Sequence, residues 1–151
     1  MSIQVNSRLI SVPDMVFDIQ NLLTYDSNFA VWSKQGVKLP FSIVDIARKA
    51  GFKVVVVNDM RYIDKLEPEL EKAKSDGQKV VVLFTAINRF FDIHYAYWDV
   101  FVDMLKTKKV GDIQLGQGDF IVVTGEINAH GYFFDSVPSK IVDRLLNYRI
   151  V

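Results

Sequence analysis

Phe29-Ala30-Val31-Trp32 opens the stretch F-A-V-W-S-K-Q-G-V-K-L-P-F-S-I-V-D-I-A-R-K-A-G-F-K-V-V-V-V, residues 29–57, and the fold turns on how that stretch is read. Its two ends are short apolar blocks, continuous rather than alternating and rich in β-branched residues, the pattern of strands buried on both faces. Between them, residues 41–50 place Ile43, Ile46 and Ala47 at helical spacing. Strand, loop, helix and strand in so short a span make a βαβ unit, because a parallel return needs a crossover and a helix is the usual one.

Working outward, Lys79–Phe84 (K-V-V-V-L-F) and Phe120–Val123 (F-I-V-V) repeat the buried-strand pattern, and Tyr148–Val151 (Y-R-I-V) gives a fifth strand. Helical spacing returns over 14–24 (Met15, Ile19, Leu22, Leu23), over 61–75, where Pro68 marks a helix start, and over 137–146 (Val137, Ile141, Leu145). The longest helix is predicted over 92–106, with Ile93, Tyr97, Val100, Phe101, Met104 and Leu105 as its core face. Strands alternating with helices predict an α/β domain, three-layer α/β/α, around a five-stranded, mostly parallel sheet. Nothing in the sequence reads as a linker, repeat or like-charge block, so residues 1–151 are expected to form one domain, with 1–12 flexible.

Composition narrows the function. Eighteen Lys and Arg balance eighteen Asp and Glu, so the net charge is zero, without the basic excess of most nucleic-acid binders. With no cysteine, disulfides, thiolate metal sites and a cysteine nucleophile are excluded. The start M-S-I-Q-V-N lacks a signal-peptide pattern, and no apolar run reaches the about 20 residues of a membrane span, so a cytoplasmic protein is expected. The aromatic share, 13%, is high for a core of this size.

In open α/β sheets, ligands bind where strands end at their carboxyl edge. Those positions hold Ser33-Lys34-Gln35-Gly36-Val37-Lys38-Leu39-Pro40 after the first strand, Thr85-Ala86-Ile87-Asn88-Arg89 after the third and Thr124-Gly125-Glu126 after the fourth. With these segments in order, the chain over roughly residues 13–151 resembles the core of an AAA+ ATPase of the MoxR-like kind. Trp32–Phe52 can be laid on that family's strand, Walker A loop and helix, and Val80–Arg89 on its Walker B strand and following Asn-Arg. Lys109–Leu115 resembles its hairpin after the third helix. Ser136–Leu145, with Asp143-Arg144, resembles the segment before its fifth strand. The resemblance implies a P-loop NTPase topology with strand order 5-1-4-3-2.

The departures from that family carry the functional expectation. A working Walker A loop, G-x-x-x-x-G-K-[ST], wraps phosphates in backbone N–H groups, neutralises them with Lys and binds Mg²⁺ through a hydroxyl. Laid on it, this chain has Ser33, Lys38, Leu39 and Pro40 at the four defining positions. Thr85 and Ala86 stand where the Walker B acids are expected, and Glu126 takes the polar sensor position. The sequence also ends with the fifth strand, where the family continues into a helical lid. The expectation is a catalytically dead pseudo-ATPase: not an enzyme, with no cofactor and no metal.

Other chemistry is weakly signalled. His94 and His130, even with Asp92 or Asp135, lack the spacing of a metal site such as H-E-x-x-H, and G-x-S-x-G is missing. Lys106, Lys108 and Lys109 cluster at a helix end, where they complement the helix dipole. Arg144 falls near the family's arginine finger, although pairing with Asp143 or another surface carboxylate is the simpler reading. Asn88 and Arg89 equally suit a turn cap and a solvated cation. Tyr95, Trp98 and Val102 form a second apolar stripe on a different face from the core stripe, and Tyr132-Phe133-Phe134 a second aromatic cluster, which implies either a broad core or a contact surface for another chain. Interaction candidates are therefore Arg144, Arg89, Tyr95, Trp98, Tyr132 and Phe133.

These readings combine into a small regulator or inhibitor working through protein contacts, with an active AAA+ ATPase as the suggested partner and a phage origin suiting the resemblance. No nucleic-acid or membrane partner is expected. Two alternatives stay open. A strand-end crevice with Lys34, Lys38, Asp59, Thr85, Thr124 and Glu126 suits a small molecule or weak nucleotide binding, and a structural homo-oligomer needs no ligand.

Overall fold

The computed structural model describes residues 8–10, 28–39, 41–59, 63, 65–88, 98–128, 130 and 139–150. The helix predicted over 14–24, and Pro40, Arg89, His94, Tyr95, Tyr132 and Phe133, lie outside the described residues. Six strands form the main sheet: β1 (Arg8–Ile10), β2 (Phe29–Lys34), β3 (Lys53–Val57), β4 (Val80–Phe84), β7 (Phe120–Ile127) and β8 (Leu146–Ile150). The short hairpin β5 (Lys109–Val110) and β6 (Ile113–Gln114) is antiparallel and separate from that sheet. The described helices are α1 (Ile43–Lys49), α2 (Glu67–Ser75), α3 (Trp98–Thr107) and α4 (Ser139–Val142).

The sheet order is β1-β8-β2-β7-β4-β3, and every pairing in it is parallel. Its five predicted strands lie in the expected order 5-1-4-3-2, and β1 adds a sixth at the edge. Within the segment 1–12, residues 8–10 form this strand, with Leu9 opposite Arg149 and Ile10 opposite Ile150. The physical reason is the edge itself: β8 would otherwise offer a row of unpaired backbone groups, which a three-residue extended segment satisfies.

The strands are continuously apolar because both faces are covered. On one face, Ala30, Trp32, Val82, Phe84, Ile121 and Val123 pack under α2, α3 and α4. On the other, Phe29, Val31, Val81, Leu83, Phe120 and Val122 meet Ile43 and Ala47 of α1. Phe84 and Phe101 join β4 to α3 edge to face, with ring centroids 4.9 Å apart. Pro68 sits in the first turn of α2, as its fixed φ and missing N–H favour.

Of the helix expected over 92–106, Ile93 and Tyr97 lie outside the described residues, and the described part, α3, is corrected in its facing. Val100 is exposed, Val102 lies in the core, and Trp98 packs against that core. The inward stripe is therefore Trp98, Phe101, Val102 and Leu105, a regular i, i+3, i+4, i+7 set, joined by Met104. Trp98 and Val102 thus do not form a second outward stripe. The last predicted helix is also shorter, because the chain turns after Val142 and enters β8 at Leu146. No helix among the described residues is long and apolar enough to cross a membrane.

Candidate functional site

At the carboxyl ends of β2, β4 and β7 lies a cleft of about 350 Å³. Ser33, Lys38 and Leu39 line it from the β2 side, Ala86 from the β4 side, and Thr124 and Glu126 from β7. The sheet brings these positions together from three distant parts of the sequence. Of the other crevice residues expected, Lys34, Asp59 and Thr85 are not part of the lining. The Thr85 hydroxyl instead bonds the Asn58 side-chain oxygen at 2.5 Å, between the ends of β4 and β3.

The loop after β2 begins with a tight turn. Val37 N–H donates to the Lys34 carbonyl (3.0 Å), and Gly36 sits at φ +80°, a left-handed conformation that glycine adopts without steric cost. Gln35 N–H is taken by the Ile127 carbonyl at 2.9 Å. The next amide, Gly36 N–H, points at a side chain rather than at open space. It donates to Glu126 Oε2 at 3.1 Å, across 90 residues of sequence. Glu126 is itself anchored by its backbone N–H, which donates to Asn88 Oδ1 at 3.1 Å. Asn88 is buried, so its amide ties the end of β4 to β7 rather than merely capping a turn.

The helix that follows starts late. Ser42 is its N-cap, accepting from Asp45 N–H at 3.2 Å, and the first helical residue is Ile43. Leu39 therefore precedes the helix, and the first turn carries the Asp45 carboxylate. A helix N-terminus attracts anions through its unsatisfied N–H groups and dipole. Here a serine satisfies one of those groups and a carboxylate of this chain supplies the negative charge. Lys38 and Lys34 are exposed beside the cleft. Ala86 has φ +53°, an uncommon backbone for a residue with a Cβ, and turns the chain sharply at the end of β4.

Close packing lies beneath the cleft. A Cβ on Gly125 would stand 2.5 Å from Trp32 Cζ3 and 2.9 Å from Ile87 Cγ2, so only glycine fits over the buried indole. The indole N–H donates to Asn147 Oδ1 at 2.9 Å, and the Asn147 amide donates to the carbonyls of Val142 and Leu145, each at 2.9 Å.

Arg144 is exposed in the turn between α4 and β8, at the amino edge of the sheet and away from this cleft. Among the described residues it has no ion pair, so the expected pairing with Asp143 is not formed. The Glu126–Gly36 contact was missed from sequence, because neither partner signals the other across that separation. Only the parallel register of β2 with β7, which places Ser33 opposite Glu126, brings them together.

Together, the parallel sheet, its strand order and the strand-end cleft define a layered α/β fold with P-loop-like strand order. A solved structure with a similar fold is that of the Aeropyrum pernix ORC2 protein in its ADPNP–ADP complexes. The two superpose with a TM-score of 0.58 at 7% sequence identity, over 93% of this chain and 46% of that one. This chain therefore spans under half of that neighbour's length. No protein-family profile and no curated protein sequence matches it.

Proposed function

We propose that the protein is a pseudo-ATPase: a P-loop-like domain, degenerate relative to the MoxR-like pattern, that binds no nucleotide and works through protein contacts. The observation that carries this reading is the Glu126 carboxylate on Gly36 N–H. A phosphate-binding loop needs its amides directed at an anion and cations around it. In this cleft one loop amide already serves a carboxylate belonging to the chain. A triphosphate brought there would meet Glu126 at close range, with Asp45 at the start of the following helix. Among the described residues Lys38 is the one cation in the lining, and no acid stands at Thr85 or Ala86 to hold Mg²⁺. The role we assign is regulation of a partner protein, and the resemblance suggests an active AAA+ ATPase.

Calorimetric titration of the protein with ATP and ADP, with and without Mg²⁺, tests the reading. No saturable heat is expected, and micromolar binding of either nucleotide overturns it. The cleft volume also suits a small ligand without phosphates. That second reading predicts a ligand whose binding shifts the resonances of Gly36 and Glu126 while nucleotides leave them unmoved.

A further inference from the structure

A second cavity, about 400 Å³, lies at the amino edge of the sheet, where β2 and β8 begin. Lys106, Lys108 and Arg144 line it, with Asp143 as its carboxylate and Leu146 as an apolar wall. We propose that this groove binds an acidic, aliphatic peptide segment of another protein, with carboxylates on Lys106 and Arg144 and an apolar side chain on Leu146. The proposal gives the protein-contact reading above a partner chemistry and rests on that reading for its biological use. The binding itself is independent of what happens at the other edge.

Among the described residues lining this groove, three are cations and one is a carboxylate. Among the described residues, no ion pair engages Lys106 or Arg144. The carbonyls at the end of α3 are satisfied by other groups, and Lys106 stands in its last turn. The Met104 carbonyl accepts from Lys108 N–H (2.8 Å), the Asp103 carbonyl from the Thr107 hydroxyl (2.8 Å) and the Thr107 carbonyl from the Gln114 amide (2.8 Å). Lys108 is also held in place. Its backbone lies at φ +56°, its carbonyl accepts from Leu115 N–H, and its ammonium sits 5.6 Å from the centroid of the Phe120 ring. A cation already ordered in the free protein loses less entropy on binding.

Leu146 selects among anions. It is 44% exposed at the start of β8, one of four large exposed hydrophobic residues among those described. An apolar wall beside cations fits a segment in which carboxylates alternate with aliphatic side chains. A nucleic-acid backbone, by contrast, gains most from an extended basic track and is repelled by Asp143.

The test uses an array of short peptides in which Glu or Asp alternates with Leu, Ile or Phe, probed with the labelled full chain at physiological salt. Parallel arms carry the same peptides with Gln and Asn, and a single-stranded oligothymidylate. The expected result is that acidic peptides bind, the amide versions do not, and K106E/R144E loses about tenfold or more, the scale of one charge-assisted hydrogen bond. The amide resonances of Lys108 and Leu146 should shift on binding. Circular dichroism checks that the variant folds, and K106Q/R144Q replaces it if it does not. If no acidic peptide distinguishes the wild type from the variant, or if the oligonucleotide binds more tightly than every peptide, the proposal fails. Nucleotide binding at the strand-end cleft would overturn the pseudo-ATPase reading and leave this result untouched.

Discussion

Glu126 spends its carboxylate on Gly36 N–H, and its own N–H is held by Asn88, so one residue closes the loop after β2 onto β7. The bond is solvent-exposed, and its net worth is about 1 kcal/mol, the usual scale for a protein hydrogen bond that competes with water. Glu126→Ala is therefore expected to speed amide exchange at Gly36 by about fivefold while leaving global stability nearly unchanged. Equal exchange in both proteins would show that the carboxylate does not hold the loop. The identities of Ser33, Lys38 and Leu39 were legible in the sequence, as was Glu126 at the strand end. That Glu126 reaches Gly36 was not, because a side-chain contact across 90 residues depends on strand register.

At the scale of elements, α3 shows how far periodicity can mislead. Its sequence supports more than one inward face, and packing against β4 and α4 selected Trp98, Phe101, Val102 and Leu105 over Val100. Asp99, in its first turn, bonds Lys140 of α4 at 2.6 Å. The hydrogen bond from Lys140, and then its charge, lower the Asp99 pKa below the usual 3.8. A lowered folded-state pKa stabilises above the unfolded value, and that contribution is lost as pH falls through the folded value. Its window is therefore acidic, below about pH 4, and no change is expected from this pair near neutrality. Both groups are exposed, so the effect on stability is small. Lys140→Ala should bring the Asp99 carboxyl titration back up toward 3.8, read by carbon-detected NMR, and an unmoved titration would show the pair is not formed in solution.

Across the whole molecule, a buried polar clamp and a close-packed glycine hold the layers in register. Asp119 has no exposed surface, and its carboxylate accepts from Val80 N–H (2.8 Å), Gly116 N–H (2.7 Å) and the Lys74 ammonium (2.6 Å). It thereby joins α2, the start of β4 and the turn before β7. Asp119→Ala orphans two backbone donors and removes the counter-charge of the partly buried Lys74, which keeps only the Gln78 carbonyl, and a loss of about 3 kcal/mol or more is expected in urea unfolding. A loss under about 1 kcal/mol would show that water replaces the carboxylate at little cost. Gly125 does the same for packing: Gly125→Ala must push aside the Trp32 ring or the Ile87 methyl, an overpacking cost of about 1–3 kcal/mol in the same measurement.

The sequence by itself determined the α/β class, the buried strands and the amino acids at the strand ends, because continuous apolar runs and helical spacing report burial locally. The family resemblance supplied the expected strand order. Tertiary structure alone decided that Arg8–Ile10 completes the sheet edge, that Glu126 occupies the loop amide, and that Lys106, Lys108 and Arg144 share one groove. Each of these depends on which distant backbones lie side by side. That is set by the summed packing of both sheet faces, and no single stretch of the chain carries it.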